Sequence, residues 1–178
     1  MENQKSTTKQ VMLNYGLILG IASVILSVAI YAMGKIYEQG WEMALIGFAI
    51  MAVIIFMGLK NFKQGNNDAL SLGQALKIGL GIALVGGIIS VAYNQIFINF
   101  IEPDYIENMM RIGEQTMLEQ NPNMSDEQLE VAKGMQEKMS SPLIGAAMGI
   151  IASLFFGFII SLIEGLILKK SNEEIDSI

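Results

Sequence analysis

The fold is decided by one stretch, GAAMGIIASLFFGFIISLIEG, residues 145–165. Every fourth residue in it is small: Gly145, Gly149, Ser153, Gly157, Ser161 and Gly165. Apolar residues dominate the positions between them, and residues 143–168 carry a single charge, Glu164. A run of about eighteen or more apolar residues with so few charges is the mark of a helix that crosses a bilayer. In lipid, apolar burial does not drive helices together, so close backbone approach, dispersion and interhelical hydrogen bonds must do so. Small residues at every fourth position permit that approach along one face, which drifts by about 40° per step because a turn takes about 3.6 residues. Such a groove suits a right-handed crossing.

Three other runs read the same way, at about 11–33, 41–59 and 78–98. Each of the four can cross a hydrocarbon core about 30 Å thick at about 1.5 Å per residue. The third carries a matching row, Ala75, Gly79, Ala83 and Gly87, and the first carries Gly16 and Gly20. These rows predict helices three and four as a close pair, with helix one against them. The first run follows a polar tail bearing Lys5 and Lys9. It exceeds the roughly 7–15 apolar residues of a signal peptide, and SVAIYAMGK at its end offers no convincing cleavage site, so it reads as a retained helix.

The composition agrees. Of 178 residues, 52% are hydrophobic and 16% charged, and the mean hydropathy is +0.47, too apolar for a soluble domain of this length. There is no Cys and no His. That removes disulfides, thiol nucleophiles, the usual general base and the commonest transition-metal ligands, so neither a cofactor nor a metal site is expected. The net charge of -6 argues against nucleic acid as a partner.

Orientation follows from the basic residues, which are in excess on the cytoplasmic side. Lys5, Lys9, Lys60, Lys63, Lys77, Lys169 and Lys170 fall on one side, and Lys35, Arg111, Lys133 and Lys138 on the other, diluted among acidic residues. The protein is therefore read as multi-pass, with both termini cytoplasmic. Tyr31, Tyr37, Trp41 and Tyr93 gather toward the opposite interface, where amphipathic rings prefer to lie.

Residues 99–141 turn polar and acidic yet read as two outer helices. Pro103, Asp104 and Glu107 suit the start of the first. Ser125 and Gln128 have the spacing of a capping box for the second, which runs to about Met139. Met109, Met110, Met117, Met124, Met135 and Met139 supply a soft apolar seam between these helices or against the bilayer. The acidic residues lack the spacing and central glycine of a calcium loop.

Charge within a span is costly, and normally faces other helices or reaches for the interface. Glu164 and Lys77 lie at matching depths near the cytoplasmic ends of helices four and three. With Asn14 and Gln74 they form a candidate polar cluster, read as a structural lock or as a site for an anionic head group, a proton or a small solute. Tyr93, Asn94, Gln95 and Asn99 make a weaker outer group, explained by interfacial anchoring.

Between helices two and three, Lys60, Asn61, Phe62 and Lys63 are followed by Ser71, Gly73, Ala75, Lys77 and Gly79, with Pro103 and Asp104 soon after helix three. This pattern, with NYGLILG opening the first span, resembles the bacterial membrane proteins grouped as domain of unknown function 4199. Leu72 and Leu76 stand where that family usually has aromatics. The resemblance implies a bacterial inner-membrane location and four spans; it implies no reaction. Lys60 and Lys63 belong to a basic, amphipathic hairpin suited to lie along anionic head groups and contact them.

Together these readings predict an all-α integral membrane four-helix bundle, one membrane domain over residues 1–178, with an extracytoplasmic helical hairpin between helices three and four. The expected role is that of a non-enzymatic scaffold, sensor or accessory subunit. Its expected partners are membrane lipids and a second copy of the chain or another membrane protein. The alternative is a small carrier or channel for a lipid, ion or solute, with Lys77 and Glu164 at its inner gate. Against it, the middles of the spans carry hardly any polar groups. An intramembrane enzyme has still fewer players, lacking paired carboxylates and any nucleophile with its base.

Overall fold

The computed structural model describes residues 7–38 and 40–170; Lys5, counted above among the basic residues, lies outside them. Among the described residues the chain is all-α, with six α-helices and no strand. Four of them are long and apolar enough to cross a membrane: α1 (Thr8–Ala32), α2 (Trp41–Gly65), α3 (Leu72–Ile96) and α6 (Pro142–Leu168). The other two, α4 (Tyr105–Gln120) and α5 (Asp126–Met139), bury no residue.

Local sequence explains where most of these helices begin. Thr7 with Gln10, Ser71 with Gln74, and Ser125 with Gln128 form reciprocal capping boxes, each satisfying two otherwise orphaned backbone donors. At the start of α6, Ser141 Oγ accepts from the Ile144 amide at 3.3 Å, and Pro142 occupies the first turn, where a missing N–H costs nothing.

Helix α3 is central, packed most extensively against α1 and α6. It runs parallel to α1: Met12 lies beside Gly81, Val85 beside Gly16 and Ile89 beside Gly20. It runs antiparallel to α6, and there small residues meet small residues. Gly165 faces Ala75, Ser161 faces Gly79, Gly157 faces Ala83 and Ser153 faces Gly87, each step of four up α3 matched by a step of four down α6. A Cβ on Gly79 would sit 2.6 Å from Ser161 Cβ, closer than such atoms come. Ser153 Oγ donates across the gap to the Ala83 carbonyl at 2.9 Å, while Ser161 Oγ donates within its own helix to Gly157.

The ladder does not run the length of α6. Gly149 has only Val91 Cγ2 nearby, at 3.5 Å from its would-be Cβ, and Gly145 has nothing within 4 Å. Gly145, read from the sequence as part of the packing ridge, therefore faces open space. The two helices pack closely toward the end that carries the α2–α3 turn, here the turn end, and draw apart toward the end that carries α4 and α5, here the cap end, where Gln95 Nε2 spans the gap to the Pro142 carbonyl at 3.3 Å.

The turn end is closed. The sequence places the end of the second span near residue 59, with KNFK in a hairpin beyond it, but α2 continues to Gly65 and buries Phe62 with Leu59. The apolar spacing of Ile55, Leu59 and Phe62 carries the helix past the point where hydropathy falls. Only residues 66–71 remain as connection. Asn67 and Asp68 take φ of 51° and 60°, a left-handed conformation that Asn and Asp tolerate better than most residues. Beyond them Leu70 is fully buried and exchanges two backbone hydrogen bonds, each 3.0 Å, with Lys170 at the end of α6. Lys170 Nζ also lies 3.3 Å from Asp68 Oδ2.

Candidate functional site

The four residues read as a polar cluster are not brought together. Lys77 is exposed on α3 and Asn14 is exposed on α1. Gln74 is used at home, its Oε1 accepting from the Ser71 amide at 2.9 Å. Among the described residues no ion pair joins Lys77 to Glu164. The reason is azimuth. Ala75, Gly79 and Ala83 face α6, and Lys77, two residues from Ala75 and from Gly79, points about 200° around the helix from them. Asn14 is likewise two residues off the Gly16 face of α1. Matching depth along the helices did not mean matching direction.

Glu164 stands apart from the other three. It lies between Ser161 and Gly165 on the buried edge of α6, half-buried, with Oε2 shielded and no hydrogen-bond partner among the described residues. Unpartnered buried polar groups cost stability. Glu164→Leu is expected to raise the unfolding temperature in detergent, whereas Lys77→Ala, a surface change, is expected to shift stability by no more than about 0.5 kcal/mol. Lys60 is exposed and Lys63 half-buried, both in the last turns of α2.

The most connected polar group lies at the cap end, at a residue the sequence reading left among the dispersed acids. After Ile96, α3 passes into a five-residue π-helical run, Phe97–Ile101, that buries Phe97 and Ile98. Its wider turn closes with the Glu102 amide donating to the Phe97 carbonyl at 2.9 Å. That delivers the Glu102 carboxylate to two phenols: Tyr31 donates to Oε2 at 3.0 Å and Tyr37 to Oε1 at 2.8 Å. Asn108 Nδ2 donates to the Tyr37 hydroxyl at 3.1 Å, and Arg111 donates to Asn108 Oδ1 at 2.9 Å. The rings are packed as well, with Phe97 edge-on to Tyr31 at 5.2 Å and to Tyr105 at 5.6 Å, and Tyr37 stacked on Tyr105 at 5.9 Å. Tyr93 joins through Phe97. Tyr31, Tyr37 and Tyr93, read from the sequence as interfacial anchors, are thus parts of a clamp that ties the α1–α2 connection to the entry of α4. Trp41 stays 70% exposed.

Burial and the bond to Glu102 push the Tyr37 phenol above its ordinary value of 10.0, and burial pushes Tyr105 up as well. A phenol whose folded value is raised binds its proton more tightly in the native state, so its contribution is complete below pH 10 and is lost as the pH rises through the folded value. Alkaline titration followed by tyrosinate absorbance is expected to show late-titrating phenols, one of which disappears in Tyr37→Phe.

Helices α4 and α5 are joined by Gln136 Nε2 donating to the Met110 carbonyl at 3.0 Å and by a Lys133–Glu114 ion pair at 2.6 Å. Met109, Met110 and Met117 are half-buried, while Met135 and Met139 are exposed.

Where α6 leaves α3, an open cavity of about 410 Å³ lies among all four long helices. Leu19 and Met51 mark its deeper part, Asn94 and Gly145 its cap-end mouth, and no charged residue lines it. A second hollow of about 230 Å³ shares Asn94 and Gly145 and reaches Met109 and Met139 beneath the cap. An apolar groove between α2 and α6, flanked by Phe48 and Phe156, shares Gly47 and Met51. The sequence signal for this space was present in Gly145 and Gly149, read there as contact surface.

No curated protein and no solved structure matches the chain. The model of one family, described as Protein of unknown function (DUF4199), matches residues 14–170, from the first turns of α1 to the Lys170 that closes the turn end, and the chain belongs to that family.

Proposed function

We propose that the protein is a non-enzymatic, multi-pass component of the bacterial inner membrane. In this reading the turn end and both termini lie in the cytoplasm and α4 and α5 lie outside. It serves as a scaffold, sensor or accessory subunit whose outer helices engage a partner membrane protein or a second copy of the chain. Lysines gathered at the turn end, among them Lys60, Lys63, Lys169 and Lys170, support the orientation.

The observation that carries the role is the asymmetry of the four long helices. The turn end is shut by the α3–α6 ladder and by the Leu70–Lys170 clasp, while the cap end is open and tied to its outer helices through Glu102. Such a body holds and presents. A carrier must open alternately to both sides around one site, and the inner gate that reading required, Lys77 against Glu164, is not assembled.

Two measurements test this. Because the chain lacks cysteine, single Asn123→Cys and Asn66→Cys variants report topology against a membrane-impermeant maleimide in spheroplasts. Labelling of Asn123→Cys in intact spheroplasts, and of Asn66→Cys only after permeabilisation, is the expected result; the reverse overturns the orientation. Native mass spectrometry after gentle extraction then reads subunit number and bound proteins. A defined complex is expected, and a bare monomer overturns the scaffold and accessory roles.

A further inference from the structure

We propose that the cap-end cavity is a binding site for one acyl chain of a phospholipid from the outer leaflet, its ester region at Asn94 and its tail directed toward Leu19 and Met51. The proposal rests on the membrane reading above and adds a ligand to it.

The walls select for a chain. No charged residue lines the cavity, so an ion or phosphate finds no counter-charge there. Three of its polar residues are serines, and each hydroxyl proton is already committed: Ser23 to the Leu19 carbonyl at 2.9 Å, Ser90 to Gly86 at 3.0 Å and Ser153 to Ala83 at 2.9 Å. A polar solute would gain few donors, whereas methylenes need none.

The polarity runs in the direction a lipid of the outer leaflet requires. The mouth presents Asn94 and, beneath the cap, Ser140 and Ser141. The deep end presents Leu19 and Met51, near the middle of their helices. An apolar groove on the outer face borders the cavity, with Phe48 edge-on to Phe156 at 5.9 Å across it. The α2–α6 groove is lined by Ala44, Leu45, Phe48 and Phe156 and meets the cavity at Gly47 and Met51; Leu45, Phe48 and Phe156 are outwardly exposed, where lipid tails would lie.

The glycines give a separate argument. Past the first turn of α3, where Gly73 is open, and in the turn-end half of α6, each glycine lets a neighbouring helix come close. Gly47 and Gly145 have nothing within 4 Å of a would-be Cβ, and Gly149 has only Val91. At these positions the missing side chain widens the cavity. Leucine there would occupy the space without colliding with a neighbouring helix.

The test uses the full chain in vesicles of phosphatidylethanolamine and phosphatidylglycerol, doped with phosphatidylethanolamine bearing a diazirine midway along one acyl chain. After illumination, adducts are mapped by mass spectrometry. Adducts on Met51, Val91 or Ala146 are expected, besides those on outward-facing Ile151, Ile163 or Ile167. In Gly145→Leu/Gly149→Leu the cavity adducts are expected to be lost and the outward ones kept, with the wild-type melting temperature as the check on folding. Gly47→Leu, on a different helix, is expected to reduce the same adducts and serves if the double variant fails to fold. Adducts confined to outward-facing residues in the wild type, or cavity adducts that survive both variants, would overturn the proposal. Labelling at no residue at all would overturn the membrane reading, and the lipid site with it.

Discussion

Gly79→Leu is expected to destabilise the protein by about 3 kcal/mol, at the upper end of what overpacking usually costs, while Gly145→Leu is expected to leave stability unchanged. Gly79 faces Ser161, and even a Cβ there would lie 2.6 Å from Ser161 Cβ. Neither side can yield easily. Ser161 is fully buried and held to its own helix through its hydroxyl, and Ile55 of α2 stands 3.3 Å behind the added atom. A leucine must push α3 and α6 apart, which strips the contact at the neighbouring steps, Ala75 on Gly165 and Ala83 on Gly157. It also stretches the Ser153–Ala83 hydrogen bond of 2.9 Å. Thermal unfolding in detergent, followed by circular dichroism, measures both variants. Equal losses at the two positions would mean that α6 is packed along its whole length, and the cavity would have to be abandoned.

The second large effect is expected at Glu102. Removing its carboxylate in Glu102→Ala leaves the Tyr31 and Tyr37 hydroxyls without an acceptor and unties the π-helical end of α3 from the α1–α2 connection. Hydrogen bonds to charged groups contribute about 1.5–3 kcal/mol each when shielded. Tyr31–Glu102 is exposed and Tyr37–Glu102 only part-buried, so solvent screening holds the expected loss below that of shielded bonds. The loss should be local. Hydrogen exchange is expected to quicken through Phe97–Ile101 and the first turns of α4 and to stay unchanged in the turn-end halves of α3 and α6. Glu102→Gln, which keeps one acceptor oxygen, is expected to fall between. A uniform change across the chain, or none near α4, would show that the aromatic packing alone holds the cap.

These two sites mark what could be read from the chain and what could not. Periodicity and hydropathy are properties of a single helix, and they located the four long helices, the Ser125 capping box and the small-residue rows on α3 and α6. The Thr7–Gln10 and Ser71–Gln74 boxes were equally legible by spacing and were passed over. Hydropathy falls at Lys60 and so marks the end of the apolar span at 59, but it does not mark the end of the helix, which continues to Gly65 and buries Phe62.

What only the tertiary structure decided is where each helix face points and how far its contacts extend. Glu164 and Lys77 share a depth, but depth follows from counting residues, whereas direction depends on the rotation of each helix about its axis. That rotation is set by the summed packing of Gly79, Ala83, Gly157 and Ser161, which leaves Lys77 on the far side. Glu102 was one acid among many until a π-helical turn and two tyrosines some seventy residues earlier gave it a partner set. Gly145 and Gly157 are indistinguishable in the four-residue repeat of α6. A crossing angle brings two helices together at one level and parts them at another, so the same four-residue step makes a contact at Gly157 and an opening at Gly145.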